Sequence, residues 1–288
     1  MRLEARNLAA GYGRETNVAD VDLVVEERRI TGLIGPNGAG KSTLLRVLSR
    51  FLKPKRGVVL LDGEVLHRLP DRDVARKLAF LGQQVEGLPD LRVEELVQRG
   101  RFPHQTLLHR DAREDRQAIE WALNAMNLDA LRARSLRNLS HGELRRAWTA
   151  MALAQRPEVL LLDEPTAFLD IAHQFELLDL LRELKQHGVT VVMSMHDLWM
   201  TAIYCDRVIA MNDGRIVGNG PTEEVLTTEL IRDVFGVEVA MRDHPTLATR
   251  VPLPVARVGR AGAVPETEDA SAEAHPAPNP ERKPSPHA

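Results

Sequence analysis

Ile34-Gly35-Pro36-Asn37-Gly38-Ala39-Gly40-Lys41-Ser42-Thr43 decides the fold. The stretch fits G-x-x-x-x-G-K-[ST], with Gly35, Gly40, Lys41 and Ser42 at the fixed positions. Such a loop wraps a triphosphate with backbone N–H groups, and glycine permits both the turns and the close approach. Lys41 adds a point charge at the β- and γ-phosphates, and the Ser42 hydroxyl is a ligand for Mg²⁺. The loop must leave a strand and open a helix, whose N-terminus favours anions. The flanks agree. Arg29 to Ile34 reads as a buried strand, and Ser42 to Leu52 carries Leu44, Leu45, Val47, Leu48 and Phe51 at helical spacing. The sequence therefore predicts a protein that binds ATP or GTP.

Working outward, Arg2 to Leu8, Val21 to Val25 and Gly57 to Gly63 read as strands, with Leu78 to Gly82 a short one ending at Gln83-Gln84. From Val93 to Arg137 the texture is helical and charged: Val93 to Arg99, Asp111 to Met126 and Leu128 to Arg134. This predicts a helical subdomain, about residues 84–140, inserted into an α/β core. Strands return at Glu158 to Asp163 and Val189 to Met193, with helices at Asp170 to Gln186 and Leu198 to Cys205. Asn212-Asp213-Gly214 marks a hairpin. From Pro252 onward, 37 residues hold 8 of the 17 prolines and little that is bulky and apolar. That composition predicts a disordered tail over 252–288, after an ATPase domain over 1–251.

Composition sets limits. A chain of 288 residues with 43% hydrophobic content can bury a sizeable core. Its apolar runs stop at about five residues, too short to span a bilayer, and no signal-peptide pattern opens it. The single Cys205 excludes an internal disulfide. A net charge of −3 argues against nucleic-acid binding.

Two further stretches carry chemistry. Val159 to Leu162 is an apolar strand ending in Asp163-Glu164, and neighbours on a strand face opposite ways. Beside a phosphate loop, Asp163 would hold Mg²⁺ and Glu164 would accept a proton from the attacking water. Ser140-His141-Gly142-Glu143 is a capping box that opens a helix over His141 to Ala154, with an exposed N-terminus suited to an anion.

The order of these motifs resembles the ATP-binding subunits of ABC transporters. The matching stretches are Gly35 to Thr43 (Walker A), Gln83 (Q-loop), Leu139 to Glu143 (signature), Leu160 to Glu164 (Walker B), Phe168-Leu169-Asp170 (D-loop) and His196 (switch histidine). The likeness covers about Leu3 to Val239. It implies an α/β P-loop ATPase core with an N-terminal antiparallel β subdomain and an inserted helical subdomain. It also implies a head-to-tail homodimer that sandwiches two ATP molecules. Ser140 and Gly142 of one chain would face the γ-phosphate held by Lys41 of the other. Gln83 would reach Mg²⁺ and the water, with Gln84 a rival for the role. Asp170, the D-loop acid, is also placed to cap a helix. His196 would contact the γ-phosphate, and Tyr12 would stack on adenine.

The signature departs from the usual Leu-Ser-Gly-Gly-Gln at His141 and Glu143. Glu95 to Gln105 and Phe168 to Gln174 resemble the branch that imports iron siderophores, haem and vitamin B12. The implied setting is peripheral, at the cytoplasmic face of the cell membrane, with permease subunits from other chains and, indirectly, a substrate-binding protein. An exporter subunit and a non-transport relative are the alternatives.

Overall fold

The computed structural model describes residues 1–82, 90–105, 112–247 and 249–258. In chain order the first half runs β1 (Leu3–Ala10), β2 (Val18–Val25), β3 (Ile30–Ile34), α1 (Lys41–Leu48), β4 (Arg56–Leu61), β5 (Glu64–Val65), α2 (Asp71–Lys77), β6 (Leu78–Leu81), α3 (Val93–Arg99) and α4 (Ala112–Ala125). The second half runs α5 (His141–Ala154), β7 (Val159–Leu162), α6 (Ile171–Gln186), β8 (Thr190–Ser194), α7 (Leu198–Tyr204), β9 (Arg207–Asn212), β10 (Arg215–Pro221), α8 (Thr222–Val225), α9 (Thr228–Phe235), β11 (Val237–Asp243) and β12 (Arg250–Arg257).

The larger sheet has the order β10-β9-β3-β8-β7-β6. Its strands are parallel except for β10, which returns from β9 through the Asp213-Gly214 turn. Both faces of the central strands β3, β7 and β8 are buried, so these read as apolar runs rather than alternating ones, whereas the edge strand β10 is largely exposed. Leu160 and Leu162 pack on one side with α5 and α6 residues such as Leu153, Leu177 and Leu181. Val159 and Leu161 pack on the other with Leu44, Leu45 and Leu48 of α1 and with Leu3 and Leu8 of the smaller sheet. That smaller sheet is antiparallel, in the order β2-β1-β4-β5.

Register places the site. Leu81 pairs with Leu162, Leu162 with Met193, and Leu33 with Ser194. The carboxyl ends of β6, β7, β8 and β3 are therefore level, and the segments after them emerge side by side. In an open α/β sheet this edge is where ligands bind.

The helical subdomain packs α3 and α4 against α5. Arg101, buried, ties it together: Nε donates to Asp115 Oδ1 at 2.7 Å and a terminal nitrogen donates to the Ala154 carbonyl at 2.9 Å. Two expectations change. Leu128 to Arg134 is not an α-helix but a single 3₁₀ turn at Asp129–Leu131, because the chain there bends back to bond Val93 and Glu94. The chain also stays ordered past Pro252: β12 pairs with β11, Val251 is buried, and Thr249 Oγ1 donates to the Ala202 carbonyl at 3.3 Å. Pro252 and Pro254 are tolerated because β12 lies in a two-stranded ribbon with an open edge. Residues 259–288, the rest of the expected tail, lie outside the described residues.

Candidate functional site

The glycines make the loop after β3 possible. Gly35, Gly38 and Gly40 hold φ of 147°, 83° and 97°, a region that disfavours side chains. A Cβ on Gly35 would stand 2.2 Å from the Met211 carbonyl oxygen, and one on Gly40 would stand 2.5 Å from that of Asn17. Gly40 caps α1 without a side-chain bond, so the cap residue itself takes up none of the first N–H groups of the helix. Lys41 Nζ donates to the carbonyls of Gly35 at 2.6 Å and Pro36 at 3.0 Å, folding its charge over the loop. Burial pushes the Lys41 ammonium pKa down, while the nearby Glu164 and Asp163 carboxylates pull it up.

Asp163 is fully buried at the end of β7. Its Oδ1 accepts from Ser42 Oγ at 3.0 Å and from Ser194 Oγ at 2.8 Å. Its Oδ2 is buried and has no hydrogen-bond partner among the described residues. An unfilled carboxylate oxygen beside a serine hydroxyl is a hard-oxygen donor set of the kind a divalent cation takes. The next residue turns sharply. Glu164 has φ of 50°, a conformation that costs a non-glycine residue about 1–3 kcal/mol and needs support from its surroundings. Ser194 Oγ supplies part of it by accepting from the Glu164 N–H at 2.8 Å. The turn presents the Glu164 carboxylate to His196, with Nε2 and Oε1 2.6 Å apart.

These groups line one cleft of about 570 Å³: Asn17, the run Asn37 to Thr43, Glu164 and His196. Tyr12 does not line it. Its exposed ring lies 5.9 Å from the Arg46 guanidinium on α1, and its hydroxyl accepts from Arg46 at 2.8 Å.

A second cavity, of about 460 Å³, is lined by Ser140, Gly142, Phe168 and Asp170 among others, and shares no residue with the first. The capping box is present: Ser140 Oγ accepts from the Glu143 N–H at 3.2 Å, and Glu143 Oε2 accepts from the Ser140 N–H at 2.7 Å. That second bond holds the Glu143 carboxyl below its usual pKa. Asp170 is the N-cap of α6 and accepts from both the N–H and the Nδ1 of His173. A Cβ on Gly142 would come 3.2 Å from the Phe168 carbonyl oxygen, so its own D-loop already crowds that position. Gln83 and Gln84 lie outside the described residues.

Three participants were not foreseen from the sequence: Ser194, Asn17 and Arg145. Arg145 is buried on α5, and burial lowers its guanidinium pKa to about 10 against the opposing pull of Asp163 and Glu164. Its signal was weak, since an arginine within a helix is ordinarily solvated.

A glycine loop between β3 and α1, a serine–aspartate pair beneath it, and a carboxylate facing the same cleft define a P-loop nucleoside-triphosphatase core. The motif order and the inserted helices narrow the class. Residues 18–167 match the ABC transporter family. The ferric enterobactin transport ATP-binding protein of Escherichia coli is 41% identical over 257 residues, covering 89% of this chain and 95% of that one. The petrobactin import ATP-binding protein of Bacillus anthracis is 44% identical over 229 residues, covering 79% and 84%. The hemin import ATP-binding protein of Pseudomonas fluorescens is 42% identical over 248 residues, covering 84% and 96%. Among solved structures, a dimeric ATP-binding cassette in a post-hydrolysis state bound to ADP and Pi matches with a TM-score of 0.68 at 27% identity, covering 76% of this chain and 98% of that one. The chain belongs to the ABC transporter family.

Proposed function

We propose that this chain hydrolyses ATP as one half of a head-to-tail homodimer and thereby powers import of an iron–siderophore complex through separate membrane permease subunits. The single observation that carries the chemistry is the Glu164 turn. Its carboxylate faces the phosphate-loop cleft and is held by His196 at 2.6 Å, so a water placed between Glu164 and a γ-phosphate has its proton acceptor in reach.

Each residue has a task in this reading. Lys41 leaves the Gly35 and Pro36 carbonyls and binds the β- and γ-phosphates. Ser42 and Asp163 would hold Mg²⁺, whose charge would offset that of the phosphates; the buried Asp163 Oδ2, without a hydrogen-bond partner among the described residues, supports the assignment. Glu164 takes the proton from the attacking water. His196 holds Glu164 before ATP arrives and turns to the γ-phosphate after. Ser140 and Gly142 face the γ-phosphate bound by the partner subunit, which explains why they line a cavity separate from this chain's own phosphate loop. Tyr12 meets the adenine from outside the cleft. Asp170 caps α6 and orders the adjoining loop. Gln83 links the site to the permease.

Among the described residues no helix is long and apolar enough to cross a membrane, which fits an ATPase held at the cytoplasmic face of the cell membrane by partner chains. The substrate class follows from the named tasks of the relatives, which are ferric enterobactin transport, petrobactin import and hemin import. The test is to isolate the chain with its permease from membranes, identify the partners by mass spectrometry, and reconstitute the complex in vesicles. ATP-driven uptake of a radiolabelled ferric siderophore is expected. ATP-driven efflux would contradict the direction of transport, and uptake of haem with none of the siderophore would contradict the substrate.

A further inference from the structure

We propose that Arg145 is a positioning residue for hydrolysis: it fastens the signature helix to the catalytic end of β7 and to the root of the Gln83 segment. The proposal rests on the reading of Glu164 as the base. Leu144-Arg145-Arg146 puts two arginines side by side on α5, and their fates differ. Arg146 is only half-buried, with a long 3.4 Å contact to the Met126 carbonyl. Arg145 is 7% exposed, a costly place for a permanent charge.

Its partners explain the placement. One terminal nitrogen donates to the Gly82 carbonyl at 2.6 Å. The other donates to the carbonyls of Asp163 and Glu164, the latter at 2.9 Å. All three carbonyls lie beyond the last paired residues of their strands, Leu81 and Leu162, where the ladder no longer supplies donors. A planar guanidinium has donors enough to serve several acceptors at once; an apolar side chain of the same length would take this donor from all three carbonyls and leave that of Glu164 with the Ala167 N–H at 3.2 Å.

Each peptide belongs to a working part. Gly82 immediately precedes Gln83. Asp163 is the buried acid beside Ser42. Glu164 is the strained residue whose carboxylate faces the cleft, and both its backbone groups are held, the N–H by Ser194 and the carbonyl by Arg145 and the Ala167 N–H. The helix that carries Arg145 is capped by Ser140, five residues earlier or about 7.5 Å along the axis at 1.5 Å per residue. A rigid rod of that length joins the signature serine to the backbone of the base. The Arg145 hydrogen bonds given above go to backbone carbonyls at the ends of β6 and β7 and not to the phosphate loop, so ATP affinity is expected to stay unchanged without it.

The test uses the purified full-length chain and two variants, Arg145→Met and Arg145→Lys. Steady-state ATPase kinetics, equilibrium binding of a fluorescent ATP analogue and thermal melting are read for each. A scaffold residue would lower kcat and affinity together, whereas a residue acting on the base lowers kcat alone. Arg145→Met is expected to lose tenfold or more in kcat while KM and ATP affinity stay within threefold; any smaller loss in a folded protein overturns the proposal, as does a parallel loss of affinity. If Arg145→Met does not fold, Arg145→Lys decides: a kcat loss of threefold or more at unchanged affinity supports the proposal, and anything less overturns it. Glu164→Gln is measured alongside. Full activity there would strike the base assignment, whereas full activity in the Arg145 variants strikes only the anchor.

Discussion

Ser194→Ala isolates the polar support beneath the catalytic turn. The Ser194 hydroxyl donates to Asp163 Oδ1 at 2.8 Å and accepts from the Glu164 N–H at 2.8 Å, and the side chain is fully buried. Removing it breaks one bond to a carboxylate, about 1.5–3 kcal/mol, and one neutral bond, about 0.5–1.5 kcal/mol. The groups left behind cannot turn to water, so the expected loss is about 2–4 kcal/mol. For a domain of this size each kcal/mol moves Tm by about 2–4 °C, which sets a fall of about 4–16 °C. Urea unfolding, read at constant m-value, measures the free energy directly. Thr31→Val is the control. The Thr31 hydroxyl is buried on β3 with no hydrogen-bond partner among the described residues, so its removal should be neutral or stabilising. ATPase activity should fall with Ser194→Ala, because the N–H of a strained base loses its acceptor. A destabilisation below about 0.5 kcal/mol would refute the two-bond account of Ser194.

Two other expectations concern the periphery. Glu143→Gln should destabilise by about 0.3–1 kcal/mol at pH 7, the usual effect of a carboxylate at a helix N-terminus. The Glu143 pKa is held below the usual 4.5, so its contribution is present above that value and is lost as pH falls through the lower folded-state pKa. The stability gap between wild type and variant should therefore close in acid, as followed by urea unfolding from pH 7 to 3, while ATPase at pH 7 stays equal or rises because a charge near the partner's γ-phosphate is gone. Deleting residues 259–288 should leave Tm nearly unchanged, since their composition offers little apolar surface. Deleting 250–288 also removes buried Val251, about 1.5–3 kcal/mol of burial, and should lower Tm by several degrees in differential scanning calorimetry.

Much of this was legible in the sequence because each signal was local. Glycine at 35 and 40 is demanded by backbone torsion and close approach, and the strand-then-helix flanks follow from apolar spacing. The capping box at Ser140 and Glu143 is a four-residue pattern with its own mechanism. Residues whose role depends on register were not legible. Ser194 matters because β8 runs beside β7, and nothing in Thr190 to Ser194 alone says so. Arg145 matters because three peptides converge on it from β6 and β7. The sequence alone also did not show that a Cβ at Gly142 would stand 3.2 Å from the Phe168 carbonyl oxygen of the same chain. The β11–β12 ribbon was hidden by its prolines, which mimic a tail in composition while sitting on an open edge.

The central claim is that Glu164 is the base for ATP hydrolysis in this cleft. The most direct measurement compares Glu164→Gln with wild type, reading single-turnover ATP hydrolysis, equilibrium ATP binding and sedimentation of the ATP-bound protein. The account predicts a loss of about 10²–10⁴-fold in hydrolysis, unchanged binding, and an ATP-dependent dimer that persists because a negative charge has left the site. A Glu164→Gln protein that hydrolyses ATP near the wild-type rate would contradict it.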